Sequence, residues 1–331
     1  MKIALVTDAW HPQVNGVVTT LTRTIAELEA MGHELRVISP DGHRTLPLPS
    51  YPEIRIALWP GKRVGAALRE FAPDAVHIAT EATLGRAARA WCRKTDQPFT
   101  TSYHTQFPEY LGSRAPVPLS LSYSVLRRFH AAAERTMVAT QAMRERLEAR
   151  GIKQLVLWER GVDTALFRPA GNKADTVARP LWTCVGRVAV EKNLEAFLQL
   201  DLPGSKQVIG AGPQLEQFRR DYPDVDFLGY RFGAELAAAL AEGDCFVFPS
   251  LTDTFGLVML EAMACGLPVA AFPVTGPVDV VEHGVTGFLD TDLRAAALAA
   301  IDLDPRACRA HALTRTWRRA TEQFASHLAT V

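Results

Sequence analysis

The stretch LTDTFGLVMLEAMACGLPVAAFPV, residues 251–274, decides the fold. An acidic turn opens it, an apolar helical segment follows to Gly266, and a short apolar run closes it. The run DCFVFPS, residues 244–250, precedes it. Strand, helix and strand in so little chain, with both strands apolar throughout, predict a βαβ unit with parallel strands buried on both faces. Asp253 lies in the turn after the first strand. Phe255, Gly256 and Leu257 open the helix, and Gly256 removes bulk where backbone N–H groups meet a phosphate. Glu261 interrupts an otherwise apolar helix (Leu257, Val258, Leu260, Ala262, Met263) and is costly to bury without a partner. Its position, read as two turns into the helix, suits a carboxylate that accepts hydrogen bonds from a ribose diol.

The same alternation extends both ways. KIALVTD, HELRVISP, DAVHIAT, PFTTSYH, RTMVAT and LVLWERG read as strands in the first half, and PLWTCVGRV, KQVIGAG, VDFLGY and PVAAFPV in the second. VVTTLTRTIAELEAMG and LGRAARAWCRK have helical spacing between them. With 331 residues, the pattern predicts two doubly wound, Rossmann-like α/β domains of about 150 residues each. The aperiodic stretch 161–180, with two prolines and two glycines, marks the boundary. Domains of 1–165 and 166–313 follow. A terminal helix within 314–331 is expected to return to the first domain, with Trp317, Ala320, Phe324 and Leu328 on one face. Ligands of such sheets bind at the carboxyl ends of the strands, so the two edges are expected to face each other across a cleft.

Composition narrows the function. Hydrophobic residues make up 48% and charged residues 22%, and Lys+Arg equals Asp+Glu at 36 each. A zero net charge argues against a general nucleic-acid binder. The halves differ: residues 1–163 hold 21 Lys/Arg against 16 Asp/Glu, and residues 164–331 hold 15 against 20, which suggests different partners. Five scattered cysteines without a CxxC argue against a disulfide framework or zinc ribbon and predict the cytosol. No apolar run is long enough to span a bilayer, and MKIALVTDAW lacks a signal-peptide core.

Four further loops carry candidate chemistry. Gly16, after the first strand, stands where a helix begins and lets a bulky ligand approach the backbone. GRVAVEKN, residues 186–193, puts Arg187 and Lys192 beside a helix start, as a diphosphate site requires. VIGAGP places Gly210 and Gly212 after a strand, but without the third glycine of a dinucleotide fingerprint it is a weak signal for NAD. His104 in HTQFPEYL follows an apolar strand at the same edge. No paired histidine spacing indicates a metal. The strings Asp224/Asp226, Asp290/Asp292 and Asp302/Asp304 read as turn and cap residues.

In this order and spacing, VNGVV, HTQFPEYL, GVDTALFRP, GRVAVEKN, VIGAGP and TDTFGLVMLEAMACGLPV resemble the retaining glycosyltransferases of family 4, which have the GT-B fold. HIATEATLGRAAR and HTQFPEYL resemble the bacterial branch that glycosylates membrane lipids, which includes diacylglycerol glycosyltransferases and GDP-mannose-dependent mannosyltransferases. The resemblance implies a nucleotide diphosphate sugar on the second domain. Arg187 and Lys192 would hold the diphosphate, and Glu261 the ribose. Asp253 with the N–H groups of Phe255, Gly256 and Leu257 would face the donor sugar. Gly186 and Gly212 would line the donor site, Gly16 would close on the diphosphate, and His104 would contact the transferred sugar. The family commonly has Glu where this chain has Asp253, which bears on sugar choice. Fixed cations and helix N-termini would stabilise the leaving diphosphate, so no metal and no cofactor beyond the nucleotide sugar is expected.

A lipid acceptor and an anionic membrane surface are also expected. Lys62, Arg63 and Arg69 flank Val64, Ala67, Leu68 and Phe71. Arg127, Arg128 and Arg135 flank Leu119, Tyr123, Leu126 and Phe129. Either stripe suits a peripheral enzyme on the inner face of the cytoplasmic membrane, or covers a sheet. UDP-glucose or UDP-glucuronate is favoured as donor, with GDP-mannose the alternative. A soluble-acceptor transferase, a nucleotide-sugar epimerase, an NAD-dependent oxidoreductase and a sugar-binding protein are the rival classes.

Overall fold

The computed structural model describes residues 1–48, 51–106, 108–109, 118–171, 173 and 177–331, with the backbone alone for 48 and 51–53. Phe107, Tyr110 and Leu111 of the HTQFPEYL segment lie outside the described residues, as do 172 and 174–176 of the boundary stretch. The chain forms two compact units, Met1–Glu159 with Trp317–Val331, and Arg160–Thr316.

The first unit holds a six-stranded parallel sheet of order β2-β1-β5-β6-β7-β8. Its strands are β1 (Lys2–Val6), β2 (Glu34–Ile38), β5 (Ala75–Ile78), β6 (Phe99–Tyr103), β7 (Arg135–Val138) and β8 (Leu155–Leu157). A separate antiparallel hairpin joins β3 (Thr45–Leu48) to β4 (Tyr51–Ala57). Side chains of β1 alternate between two cores, as period two requires. Ala4 and Val6 pack in one cluster with Val64, Leu68, Leu84 and Ala88 of the helices Gly61–Phe71 and Thr83–Thr95. Ile3 and Leu5 pack in the other with Leu21, Leu28, Trp158 and Phe324. Phe324 belongs to the helix Trp317–His327, which lies against the helix Gly16–Ala30 and buries Trp317, Ala320 and Phe324.

The second unit repeats the scheme with order β11-β10-β9-β12-β13-β14. These are β9 (Leu181–Val185), β10 (Ser205–Ile209), β11 (Val225–Gly229), β12 (Cys245–Phe248), β13 (Val269–Ala271) and β14 (Gly287–Leu289). The sheet order reverses direction between β9 and β12, the switch point at which doubly wound sheets bind ligands.

The units divide six residues before the expected 165/166. Trp158 is fully buried in the first core, whereas residues just beyond it are tied to the second unit. Val162 N donates to Arg315 O (2.8 Å), and Arg309 donates to Phe167 O (2.5 Å), Thr164 O (2.8 Å) and Ala264 O (2.7 Å). Arg160, at the division, is buried, and desolvation lowers its pKa to about 9.

Both candidate membrane stripes are corrected. Val64, Leu68 and Phe71 are core, as are Tyr123, Leu126 and Phe129 of the helix Leu119–His130. They cover the sheet, and only Leu119 of the two stripes is exposed among the large side chains (38%). The other apolar residues that reach solvent on that helix are Leu121 (58%) and Val125 (48%), one turn apart. All five cysteines are buried free thiols.

Candidate functional site

In the second unit, the loops after β9 and β12 meet at the switch point. Lys192 Nζ donates to both carboxylate oxygens of Asp253, at 2.6 and 2.8 Å. Asn193, in the left-handed region at φ 51°, donates its side-chain amide to Pro249 O (3.0 Å), and Thr252 Oγ1 donates to Glu191 O (3.3 Å). These ties hold the two loops together, so the diphosphate cation and the sugar-facing carboxylate expected from sequence form one ion pair. A shallow pocket beside them is lined by Gly186, Arg187, Lys192, Phe248, Pro249 and Ser250.

The glycines of these loops have distinct reasons. A Cβ on Gly186 would meet nothing within 4 Å, so its backbone is open to a ligand. A Cβ on Gly212 would lie 2.4 Å from Val188 O, and one on Gly210 1.9 Å from Gly186 O. Those two glycines let the loop after β10 press on the loop after β9. Gly212 therefore lets its loop press on the loop after β9 from behind.

The helix after β12 spans Leu257–Ala264 and starts from Gly256 at φ 85° with no side-chain cap. The expected opening at Phe255 is two residues early: Phe255 is buried, and Gly256 is the cap. A Cβ on Gly256 would sit 2.7 Å from Met259 Cε and 3.0 Å from Phe248 Cζ. Glu261 is the fifth residue of this helix, one turn in rather than two, and half-buried beside Leu257 and Val258. Gly276, at φ 99°, backs the loop: a Cβ there would lie 3.1 Å from Asp253 O and from Phe255 O. Its role was not read from sequence, since a TGP turn looks like any other. At the end of β11 the exposed rings of Tyr230 and Phe232 stack at 5.7 Å and 19°. They lie within the Gly229–Gly233 turn and present a flat aromatic surface.

The first unit holds the other candidates. Gly16 is the first residue of the helix Gly16–Ala30, where the Asn15 side chain accepts from Val17 N and Val18 N at 3.0 Å each. The loop before it rests on Asp8, a buried carboxylate that no sequence motif marks, since one Asp after a strand is common. Asp8 accepts from Leu84 N (2.8 Å), Gly85 N (3.3 Å), Thr80 Oγ1 (2.9 Å) and Thr83 Oγ1 (3.3 Å). Burial raises its pKa, against the lowering effect of those bonds.

His104 is half-buried just past β6. Its ring meets Trp158 edge-on at 5.6 Å and 72°. Trp158 in turn packs on Phe324 (4.7 Å) and His77 (5.9 Å). His77 is itself fixed within the sheet between Thr100 Oγ1 (2.9 Å) and Ser102 Oγ (2.6 Å). Lys62, Arg63, Arg69, Arg127 and Arg128 are exposed, and Arg63 donates to Gly42 O. Among the described residues no group of three or more His, Cys, Asp or Glu is placed to hold a metal ion. No helix among them is long and apolar enough to cross a membrane.

Comparison with known proteins fits this geometry. Residues 14–166 match the Glycosyltransferase Family 4 model, and residues 179–303 match Glycosyl transferases group 1. A GDP-mannose-dependent alpha-mannosyltransferase of Mycobacterium tuberculosis is 32% identical over 317 residues, covering 87% of this chain and 83% of that protein. An alpha-monoglucosyldiacylglycerol synthase of Streptococcus pneumoniae is 24% identical over 349 residues, covering 92% and 79%. In fold, the chain is similar to Anabaena Alr3699/HepE in complex with UDP and glucose, at a TM-score of 0.73 and 17% identity over 98% of each chain.

Proposed function

The chain belongs to glycosyltransferase family 4, and from that premise we propose that it moves a hexose from a UDP-sugar to a diacylglycerol-type lipid. That it is a retaining glycosyltransferase using a nucleotide sugar follows from the family. The observation that carries the site reading is the Lys192–Asp253 pair beside the uncapped helix at Gly256. A diphosphate leaving group gains negative charge as the sugar–phosphate bond breaks. Lys192, Arg187 and the N–H groups after Gly256 are preorganised to receive that charge. Asp253, released from Lys192 as the diphosphate takes its place, is free to accept a sugar hydroxyl. Glu261 accepts from the ribose diol, and Tyr230 and Phe232 offer the base a flat surface. By the family resemblance alone, His104 is assigned to the transferred sugar and Gly16 to the diphosphate. Because fixed cations fill the charge-neutralising role, turnover is expected to survive a chelator.

The lipid acceptor draws support from the diacylglycerol-glycosylating relative. It also draws on the helix Leu119–His130, where exposed Leu121 and Val125 lie on one face with Arg128, beside Arg127. Such a face suits an anionic bilayer. The UDP-sugar donor draws on the fold neighbour that binds UDP and glucose and on the short Asp253 carboxylate. GDP-mannose is the second reading, favoured by the 32%-identical relative. A screen of UDP-glucose, UDP-glucuronate, UDP-galactose and GDP-mannose, with and without diacylglycerol in mixed micelles, tests both. Lipid-dependent release of UDP supports the first reading. Lipid-dependent release of GDP establishes the second. Release without any acceptor overturns the transferase assignment in favour of epimerisation or hydrolysis.

A further inference from the structure

Ser250 is the second residue after β12, at the switch point of the second sheet, and it is 2% exposed. Its Oγ is buried with no hydrogen-bond partner among the described residues. Serine hydroxyls commonly bond to nearby backbone, and a buried one left unpaired is costly. The hydroxyl is also held in place. Asn193 Nδ2 donates to Pro249 O at 3.0 Å, one residue before it. Thr252 Oγ1 donates to Glu191 O at 3.3 Å, two residues after it. The chain at Ser250 is therefore pinned on both sides to the loop after β9. Ser250 lines the pocket beside the Lys192–Asp253 pair, whose volume of about 10 Å³ is room for one water-sized group.

The lining decides what that group is. Val185, Leu194, Val208 and Phe248 give the pocket apolar walls, and Arg187 and Lys192 bring two cations to it. So small a space excludes a sugar ring or a base, and the two cations oppose a third. A hydroxyl hydrogen rotates to suit its surroundings. Beside two cations it turns toward the remaining space, where it meets an acceptor. An oxygen that only accepts and carries negative charge satisfies the hydroxyl and both cations together. We infer that Ser250 Oγ donates a hydrogen bond to a β-phosphoryl oxygen of the bound nucleoside diphosphate. This rests on the donor-site reading. The β-phosphoryl is selected because Lys192 lies on Asp253, the carboxylate assigned to the donor sugar, and the β-phosphoryl is the one joined to that sugar. When the sugar–phosphate bond breaks, its electron pair stays on that phosphoryl group, and a fixed donor bonds to it more strongly. Ser250 keeps its own proton and forms no bond to the sugar.

Calorimetry on the full chain with UDP, UMP, GDP and GMP tests this, since only the diphosphates carry a β-phosphoryl group. In Ser250→Ala, affinity for the diphosphate that binds the wild type is expected to fall about tenfold, as for the loss of one charge-assisted hydrogen bond. Affinity for the matching monophosphate is expected to stay unchanged. Melting without nucleotide separates this from a role in the fold. Removing an unpaired buried hydroxyl relieves a cost, so the free Ser250→Ala chain is expected to melt no lower than wild type. Unchanged diphosphate affinity means that the pocket takes water alone, and overturns the inference. Equal losses for diphosphate and monophosphate, or a lower melting temperature of the free variant, mean that the hydroxyl serves the loop, and overturn it too. A wild-type chain that binds neither diphosphate more tightly than its monophosphate refutes the donor-site reading itself, an outcome that needs no variant.

Discussion

Replacing Lys192 by Ala removes the cation from a pair whose partner stays in place. Lys192 and Asp253 are 28% and 18% exposed in their side chains. At a separation of about 4 Å between charge centres and an effective dielectric of about 20, such a pair interacts by roughly 4 kcal/mol before desolvation is counted. In the variant, Asp253 faces the incoming diphosphate uncompensated, so donor affinity falls. The larger loss comes in the transition state, where charge builds on the leaving oxygen. Removal of one preorganised donor of that kind costs about 3–4 kcal/mol, or 10²–10³ in kcat. Nucleotide diphosphate release under saturating donor reads kcat, and calorimetry with UDP and GDP reads the ground-state part. Asp253→Asn in the same background completes a cycle. Because the two groups touch, the double variant is expected to be no slower than Lys192→Ala alone. A kcat for Lys192→Ala within threefold of wild type, with the melting curve unchanged, refutes the assignment. Strictly additive losses in the cycle refute the claim that the pair works as a unit.

Three other perturbations test separate parts of the structure. Phe324→Leu loses ring contacts with Trp158 at 4.7 Å and His77 at 4.8 Å; at about 0.5–1.5 kcal/mol per aromatic pair, urea unfolding should show a loss of roughly 1–3 kcal/mol. Because Trp158 also meets His104, its kcat should fall more than its donor affinity; a change in donor affinity alone contradicts the link. Gly256→Ala places a Cβ 2.7 Å from Met259 Cε at φ 85°, which should cost about 1–3 kcal/mol and weaken donor binding in calorimetry. Asp8→Asn bears on pH. The folded carboxyl has a raised pKa, so the native state binds its proton more readily and stability falls as pH rises from the unfolded value near ~3.9 through the folded one. Unfolding curves of wild type and Asp8→Asn should differ in slope within that window and run parallel above it.

Much of the fold can be read in the sequence because parallel strands are buried on both faces and leave unbroken apolar runs, such as AVHI in β5 and CFVF in β12. The compact units divide six residues before the expected boundary because an aperiodic stretch says where regular structure stops, and says nothing of which core claims its ends. Trp158 belongs to the first unit and Val162 to the second, a distinction made by long-range contacts alone. The membrane stripes failed for a related reason. Helical periodicity reports a face that avoids water, and a sheet satisfies it as well as a bilayer does. Val64 and Leu68 meet the sheet, while Leu121 and Val125 escaped notice because they lie off the stripe.

The two halves of the candidate site differ in the same way. On the donor side, most of what matters is local: Gly186 and Arg187 follow one strand, and Asp253, Gly256 and Glu261 follow another within a single strand-to-helix turn. Local devices of that sort leave a local pattern. Even there, the Lys192–Asp253 pair spans 61 residues and emerges only when β9 and β12 lie side by side. In the first unit, nothing is local. A cavity beside Trp10 takes its walls from the ends of two strands and a hairpin, and His104 is steadied by a Trp at the end of β8 and a Phe from the last helix. Residues drawn from so many loops can change one at a time without disturbing the sheet that carries them. On the proposed reading, acceptor choice can therefore drift while the donor site keeps its form, and the acceptor has to be sought in the side chains of those loops.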